Sequence, residues 1–177
     1  MARSHLLALA LAASLLACSG AQRPDGGRGL LPVGSPVPAL QANDQHGAPR
    51  SLASERGKPF VVYFYPRDAT PGCTAEACSF RDVWKRYEEA GVGVFGVSSD
   101  DEASHKKFAD EHKLPFPLIA DADGSWARAF GVSSTFGLYA RVTFLIDRQG
   151  KVARVYPEVD PGVHAGRVLT DAQVLAP

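Results

Sequence analysis

Apolar residues in this chain gather in short, nearly unbroken runs that alternate with stretches of helical spacing. The runs at 60–65 and 92–98 are too short for helices and are rich in aromatic and β-branched residues, which is typical of strands in a sheet covered on both faces. Between them, apolar residues recur at spacings of three and four, which predicts one helix over 70–90. Residues 60–98 are therefore expected to form a strand, a helix and a second strand.

Residues 31–50 lie before the first of these strands and contain four prolines, which argue against a helix. Turn-forming residues at 43–47 separate two short extended pieces. We therefore predict an N-terminal β-hairpin at the edge of the domain, followed by a single helical turn within 51–57.

The second half of the chain continues the alternation. The predicted elements are a helix capped by Asp100 that ends near 112, a strand at 118–120, a short helix at 125–130, strands at 142–147 and 151–156, and a helix at 163–175. Parallel strands come first and an antiparallel pair comes late. This order predicts an α/β protein with a thioredoxin-like fold, in which a central mixed sheet carries helices on both faces.

The first seventeen residues have the composition of an export signal. Arg3 precedes an apolar segment at 6–17, which is too short to cross a bilayer of about 30 Å as a helix. Cys18 follows this segment directly, and residues 15–18 resemble a bacterial lipobox, in which the cysteine is lipidated after cleavage. We predict a signal peptide at 1–17, a flexible tether at 18–29 with a lipid anchor at Cys18, and a folded domain at 30–177.

This prediction places the protein in the bacterial cell envelope, exported and facing the periplasm, with the lipid as its contact with the membrane. An ordinary signal peptide in which Cys18 has no role is the alternative.

Lys plus Arg and Asp plus Glu both number 19, and 45% of the 177 residues are hydrophobic. One domain with a real core fits these values. A neutral balance without a basic cluster argues against nucleic acid as a partner.

Two of the three cysteines fall in one stretch, directly after the first predicted strand. Thr70 followed by Pro71 is a helix start, with a hydroxyl residue at the N-cap and proline at the first helical position. Cys73 then lies in the first turn. Unpaired backbone N–H groups and the helix dipole favour an anion there, so Cys73 is the predicted nucleophile, as a thiolate.

Cys78 follows Cys73 by five positions. If both residues stayed helical, their Cα atoms would lie roughly 8.6 Å apart, whereas a disulfide requires about 4.4–6.8 Å. A disulfide between them therefore requires at least the first turn of the helix to unwind.

This stretch resembles the active-site signature of the peroxiredoxins, in particular the bacterioferritin-comigratory-protein or PrxQ branch. The resemblance rests on the spacing of Pro66, Thr70 and Cys73 and on Cys78 within the same helix. It extends from about residue 31 to 175. The segment that begins at Arg141 looks like the one that supplies the family's catalytic arginine.

The resemblance implies an antioxidant thiol peroxidase that reduces hydrogen peroxide and organic hydroperoxides. Cys73 would become a sulfenic acid, Cys78 would resolve it as an intramolecular disulfide, and thioredoxin or a similar dithiol would recycle the enzyme. Arg141 would activate the thiolate and the peroxide, Thr70 would supply a hydroxyl, and Pro66 would shield the pocket. We expect no cofactor and no metal ligands among these residues, and we expect a monomer.

The same residues allow other interpretations. Each residue also has a purely structural alternative: Cys78 could be a small buried hydrophobic residue, Thr70 only a helix cap, and Arg141 a surface charge. We expect Glu76 to bind the loop backbone. A Sco-like copper-delivery protein with His164 as a further ligand is one alternative function. A thiol-disulfide exchange module is the other, although the Cys-x-x-Cys motif of such modules is absent.

Overall fold

A computed structural model of the protein describes residues 22–175; the predicted signal peptide and Cys18 lie outside this range. The strands are β1 (Gln41–Asn43), β2 (Pro49–Ser51), β3 (Phe60–Phe64), β4 (Gly93–Ser98), β5 (Leu118–Ala120), β6 (Ser134–Thr135), β7 (Leu138–Tyr139), β8 (Val142–Ile146) and β9 (Val152–Tyr156). The helices are α1 (Pro71–Asp82), α2 (Trp84–Glu89), α3 (Glu102–His112), α4 (Ser125–Phe130) and α5 (His164–Gln173), with a 3-10 turn at Leu52–Glu55. None of the helices in the described range is long and apolar enough to cross a membrane.

Five strands form the central sheet, in the order β5-β4-β3-β8-β9. β3, β4 and β5 run parallel, whereas β8 runs antiparallel to β3 and to β9. Val142 at the start of β8 pairs with Phe64 at the end of β3. The carboxyl ends of β3 and β4 therefore lie at the same end of the sheet as the start of β8.

Side chains of β3 alternate between two hydrophobic clusters, one on each face of the sheet. Val61 and Tyr63 belong to the cluster that contains residues of α1, α3 and α5, while Val62 and Phe64 belong to the cluster with α4. All five residues of β3 are buried, as expected for a strand covered on both faces. The predicted mixed sheet with helices on both faces is confirmed.

The predicted N-terminal hairpin is present as β1 and β2, which pair antiparallel. Asp44 in its turn is buried and accepts hydrogen bonds from the backbone N–H groups of His46 and Ala48 and from the Arg50 side chain. An isolated bridge joins Asp44 to Ile119 of β5. The hairpin thus lies against the β5 edge of the sheet and covers part of an otherwise unpaired strand.

Residues 22–29, which the sequence predicts to be a flexible tether, form a hydrogen-bonded loop, and the backbone oxygen of Gly29 lies close to Gly131 at the end of α4. The Arg23 guanidinium is buried and donates hydrogen bonds to the backbone oxygens of Arg28, Gly29 and Leu30. A guanidinium offers five donors in a fixed fork, which suits several carbonyls of one loop. This part of the predicted tether is therefore folded, and the domain boundary at residue 30 stays a prediction.

The predicted helix over 70–90 is two helices. α1 ends at Asp82, Val83 has φ −109° and ψ 10°, and α2 begins at Trp84. Val83 is β-branched, and such residues lose rotamer freedom in a helix. In α2, Tyr87 is buried and its hydroxyl donates a hydrogen bond of 2.8 Å to a backbone carbonyl of α5.

Two further details differ from the prediction. The N-cap of α3 is Asp101, whose carboxylate accepts a hydrogen bond from the Ser104 N–H at 2.8 Å. Asp100 instead accepts a hydrogen bond from the backbone N–H of Asp68, in the loop before α1. The hairpin of β6 and β7 has no counterpart in the prediction, because strands of two residues are too short to show a period.

Candidate active site

The residues predicted to carry the chemistry lie together at one end of the central sheet. At this end β3 and β4 finish and β8 begins. The chain leaves β3, forms a loop at 65–70 and enters α1, whereas Arg141 directly precedes β8. Because Val142 pairs with Phe64, Arg141 lies beside the point where the chain leaves β3. Two segments far apart in sequence therefore meet at this end of the sheet.

Cys73 lies in the first turn of α1 and is 1% exposed. Nη2 of Arg141 lies 3.2 Å from Sγ of Cys73 and donates a hydrogen bond to it. A guanidinium at this distance stabilises a thiolate more than a thiol, because the thiolate carries the negative charge. Gly72 permits the close approach, since a Cβ atom there would lie 3.3 Å from the same Nη2.

Glu76, three residues after Cys73 on α1, holds Arg141 from the other side. Its side chain is fully buried, and its Oε2 accepts a hydrogen bond from Nη1 of Arg141. Burial raises the pKa of Glu76 to about 7, although the charge and hydrogen bond of Arg141 act in the opposite direction. The expectation that Glu76 binds the loop backbone is wrong, because its partner is the side chain of Arg141.

The Arg141 guanidinium therefore bridges two acidic groups. Burial disfavours its charge, but the charge of Glu76 and the hydrogen bond and charge of Cys73 outweigh burial and raise the pKa of Arg141. The arginine is cationic throughout the physiological range. Because residues three apart lie on the same face of a helix, α1 presents both acidic groups to one cation.

Thr70 occupies the predicted N-cap position, with φ −80° and ψ 146°. Its backbone carbonyl accepts the Thr74 N–H at 2.8 Å, but its hydroxyl donates to the carbonyl of Arg67 at 3.2 Å and makes no capping bond to α1. The hydroxyl is thus oriented towards the loop and not towards the helix N–H groups. Pro66 is partly buried at the start of the same loop.

Cys78 lies further along α1 and is partly buried, and both cysteines of this helix are free thiols. The helix is continuous between Cys73 and Cys78. In this conformation the two residues have the helical spacing that is too wide for a disulfide, as the sequence predicts.

Comparison with known proteins identifies the family that shares this arrangement. The sequence model of the AhpC/TSA family matches residues 33–155, more than half of the chain. The chain belongs to the AhpC/TSA family.

Similar members of the AhpC/TSA family carry peroxiredoxin names. The chloroplastic peroxiredoxin Q of Triticum aestivum is 43% identical over 150 residues, which cover 83% of this chain and 69% of the wheat protein. The putative peroxiredoxin bcp of Coxiella burnetii is 39% identical over 146 residues, covering 78% of this chain and 97% of that protein. The predicted resemblance to the PrxQ and bacterioferritin-comigratory branch is confirmed, and this AhpC/TSA protein is an enzyme, a thiol peroxidase.

Solved structures of AhpC/TSA proteins share the fold. Peroxidoxin BcpB of Mycobacterium tuberculosis superposes with a TM-score of 0.76 at 36% identity, covering 82% of this chain and 98% of that one. The bacterioferritin comigratory protein of Xanthomonas campestris superposes with a TM-score of 0.74 at 32% identity, covering 81% of this chain and 98% of that one. The thioredoxin-like fold is therefore confirmed.

A copper-delivery function would require Cys73, Cys78 and His164 to converge on one ion. His164 is buried, and its Nε2 lies 2.8 Å from Oγ1 of Thr143. Burial, together with the charges of two neighbouring arginines, lowers its pKa to about 4. Within residues 22–175, one group of three side chains has ligand atoms close enough together to hold a metal ion, all within 4.8 Å of one another. This group consists of Asp68, Asp100 and His105, and it includes neither of the two cysteines nor His164. Neither this alternative nor the thiol-disulfide exchange module is favoured by the AhpC/TSA match.

Glu76 and His164 give the protein opposite responses to pH. The pKa of Glu76 in the folded protein, about 7, exceeds its ordinary value of 4.5, so its contribution to the free energy of unfolding is complete below pH 4.5 and is lost as the pH rises through 7. The pKa of His164, about 4, lies below its ordinary value of 6.5, so its contribution is lost as the pH falls from 6.5 towards 4.

Substitution of Glu76 should separate the two responses. When the pH is lowered from 6.5 to 4.5, protonation of Glu76 should add about 2 kcal/mol to the free energy of unfolding of the wild type, at about 1.36 kcal/mol per pKa unit. Glu76→Gln should lack this gain. Urea denaturation at a series of pH values measures this difference. Glu111→Gln, at an exposed position on α3, is the control and should follow the wild type. Parallel profiles for Glu76→Gln and the wild type would contradict the buried state of this carboxyl group.

Proposed function

We propose that this thiol peroxidase reduces hydrogen peroxide and organic hydroperoxides with Cys73 as the peroxidatic residue. The observation that carries the proposal is the hydrogen bond from Nη2 of Arg141 to Sγ of Cys73 at 3.2 Å. The bacterioferritin comigratory protein of Xanthomonas campestris is described as having alkyl peroxide reduction activity, which supports organic hydroperoxides as substrates.

In the proposed reaction, the Cys73 thiolate attacks the terminal oxygen of the peroxide ROOH. A bond between sulfur and oxygen forms while the O–O bond breaks, and the leaving RO⁻ takes up a proton to give ROH. The peroxide is reduced by two electrons, and Cys73 is oxidised to a sulfenic acid. The sulfur supplies both electrons, so this reaction requires no metal or cofactor.

The negative charge moves from the sulfur to the leaving oxygen during this step. Arg141 presents several N–H donors in one plane, and can therefore stabilise the charge at both ends of its movement. Glu76 fixes the guanidinium through Nη1 and leaves Nη2 directed at Cys73. We assign the Thr70 hydroxyl a further hydrogen bond to the peroxide, and Pro66 the role of shielding the pocket.

We propose that Cys78 completes the cycle. Its thiol attacks the sulfenic sulfur of Cys73, a disulfide forms and water leaves, and a dithiol of thioredoxin or a similar protein then reduces the disulfide by exchange. The helical spacing of the two cysteines in α1 supports an opening step between oxidation and resolution, because a disulfide requires a shorter Cα–Cα distance than an intact helix permits.

We also propose that the enzyme is a monomer in the bacterial cell envelope, exported and anchored by a lipid on Cys18 so that it faces the periplasm. The apolar segment at 6–17 and the lipobox-like residues 15–18 support export and the lipid anchor. Contact with the membrane is then through the lipid.

Serine substitutions at the two cysteines of α1 test the reaction. Cys73→Ser should consume no peroxide above background, because the nucleophile is lost. Cys78→Ser should complete one turnover and leave a sulfenic acid at Cys73, which mass spectrometry detects after trapping. Cys18→Ser, the same substitution outside the site, should retain wild-type turnover. Peroxide consumption by Cys73→Ser at the wild-type rate would contradict the assignment.

Fractionation of bacterial cells that express the full chain tests the anchor. The wild type should be recovered with the membranes, and its amino-terminal peptide should carry a lipid on Cys18. Cys18→Ser should be released into the soluble fraction, because the modified thiol is missing. An unmodified Cys18 in a soluble wild-type protein would exclude the lipoprotein assignment.

A further inference from the structure

The loop between β3 and α1 is anchored by a buried carboxylate that the proposed reaction does not use. Oδ1 of Asp68 accepts a hydrogen bond from the Tyr65 hydroxyl at 2.7 Å. Its Oδ2 accepts one from Oγ of Ser104 at 2.8 Å and lies 2.9 Å from Nδ1 of His105. The backbone N–H of Asp68 donates to Oδ2 of Asp100 at 3.0 Å. Four hydrogen bonds therefore hold one residue of this loop.

His105 of α3 is fully buried, and each of its ring nitrogens faces an acceptor. Nδ1 faces the Asp68 carboxylate, and Nε2 lies 3.1 Å from the backbone oxygen of Ile119. A carbonyl oxygen cannot donate, so Nε2 must carry a hydrogen in this contact. Burial disfavours the ionised form of Asp68, but the hydrogen bond and charge of His105, with the Tyr65 hydroxyl, outweigh burial and keep the pKa of Asp68 below its usual value. Asp68 and His105 thus form a buried pair that joins the loop to α3.

Asp68, Asp100 and His105 bring their ligand atoms within 4.8 Å of one another, a spacing that a metal ion also requires. Their hydrogen bonds argue against that use. Both ring nitrogens of His105 have partners, and Oδ2 of Asp100 accepts from Oγ of Ser98 at 2.6 Å as well as from the backbone of Asp68. An ion would have to displace these partners, so the group is a hydrogen-bond network.

The residue after Asp68 has a backbone conformation that needs support. Ala69 has φ +56°, a left-handed conformation that residues with a side chain rarely adopt. Such conformations persist where the surrounding structure fixes the chain. Here Asp68 fixes it on one side and α1 on the other. The direction in which α1 starts, and with it the place of Cys73 beside Arg141, depends on this short segment.

We propose that the buried Asp68–His105 pair positions Cys73 for reaction with peroxide by holding the loop at 66–70 in its folded conformation. The inference rests on the proposed function, because Cys73 supplies the reacting atom. Asp68 and His105 are positioning residues and act through the loop backbone. Without the pair, the loop relaxes and the contact between Cys73 and Arg141 is populated for a smaller fraction of the time.

Asp68→Asn tests the proposal, because it keeps the size of the side chain and removes the charge opposite His105. In a single-turnover measurement on the reduced protein, peroxide should oxidise Cys73 roughly 10- to 100-fold more slowly. The later formation of the disulfide should not slow, since that step needs an opened α1. His105→Gln should show a similar loss, and the double variant should lose no more than either single variant, because the two residues act as a unit.

The matched control is Asp110→Asn, which makes the same change in a carboxylate that pairs with Lys106 on the exposed side of α3. This variant should react with peroxide at the wild-type rate. Unchanged oxidation of Cys73 in Asp68→Asn, or a loss of equal size in Asp110→Asn, would overturn the proposal.

Hydrogen exchange of the backbone amides at 67–74 gives a second readout that needs no peroxide. Asp68→Asn should exchange faster in this segment while the exchange of β3 stays unchanged; slowed oxidation with unchanged exchange would overturn the proposal. An inactive wild type would refute the proposed function alone, and the exchange result would still decide whether Asp68 anchors the loop.

If Asp68→Asn does not fold, Ser104→Ala provides a milder test, because it removes one of the hydrogen bonds to Asp68. This variant should cause a smaller change in the same direction, whereas no change would overturn the anchoring role.

Discussion

A single guanidinium, shared between a buried carboxylate and a buried thiol, is the interaction on which this site depends. Taking an ionised carboxylate out of water costs several kcal/mol, and the raised pKa of Glu76 shows that Arg141 offsets only part of that cost. The same cation faces Cys73 through its other amino group. Glu76 therefore holds the arginine in place, and the buried Cys73 faces an oriented positive charge.

The fold supplies this arrangement through two features of its backbone. α1 carries Cys73 and Glu76 three residues apart on one face, and the pairing of β8 with β3 places Arg141 opposite them. A slip of one residue in this pairing would turn the side chains of β8 to the other face of the sheet. The folded first turn of α1 places the Cys73 thiol beside Arg141, whereas the proposed resolution by Cys78 would require this turn to open.

Much of the architecture follows from local patterns in the sequence. Short apolar runs indicate the strands of the central sheet, and the order Thr70-Pro71 indicates where α1 begins, because capping and proline preferences act within one turn. The break at Val83 and the packing of Arg23 against three carbonyls do not follow from such patterns. Both depend on weak local preferences, because Val83 is a single β-branched residue and the carbonyls that Arg23 binds lie five to seven residues further along the same loop.

The site was predictable to a smaller extent. Cys73 can be identified from its place in the first turn of a helix, but no periodicity distinguishes Arg141, for which a family resemblance was needed. The pairing of Glu76 with Arg141 joins residues 65 positions apart, and it depends on the order of strands in the sheet. The anchoring of Asp68 by His105 is of the same kind, because it joins a loop to a helix that follows the next strand.

The most direct test of the account is the rate at which peroxide oxidises the reduced protein when Arg141 is replaced. In stopped flow, Arg141→Gln should react about 10²- to 10³-fold more slowly than the wild type, because an oriented donor at the reacting atoms is lost. Arg148→Gln, which removes an exposed arginine hydrogen-bonded to a backbone carbonyl, should react at the wild-type rate. Equal rates for Arg141→Gln and the wild type would contradict the central role of the shared guanidinium.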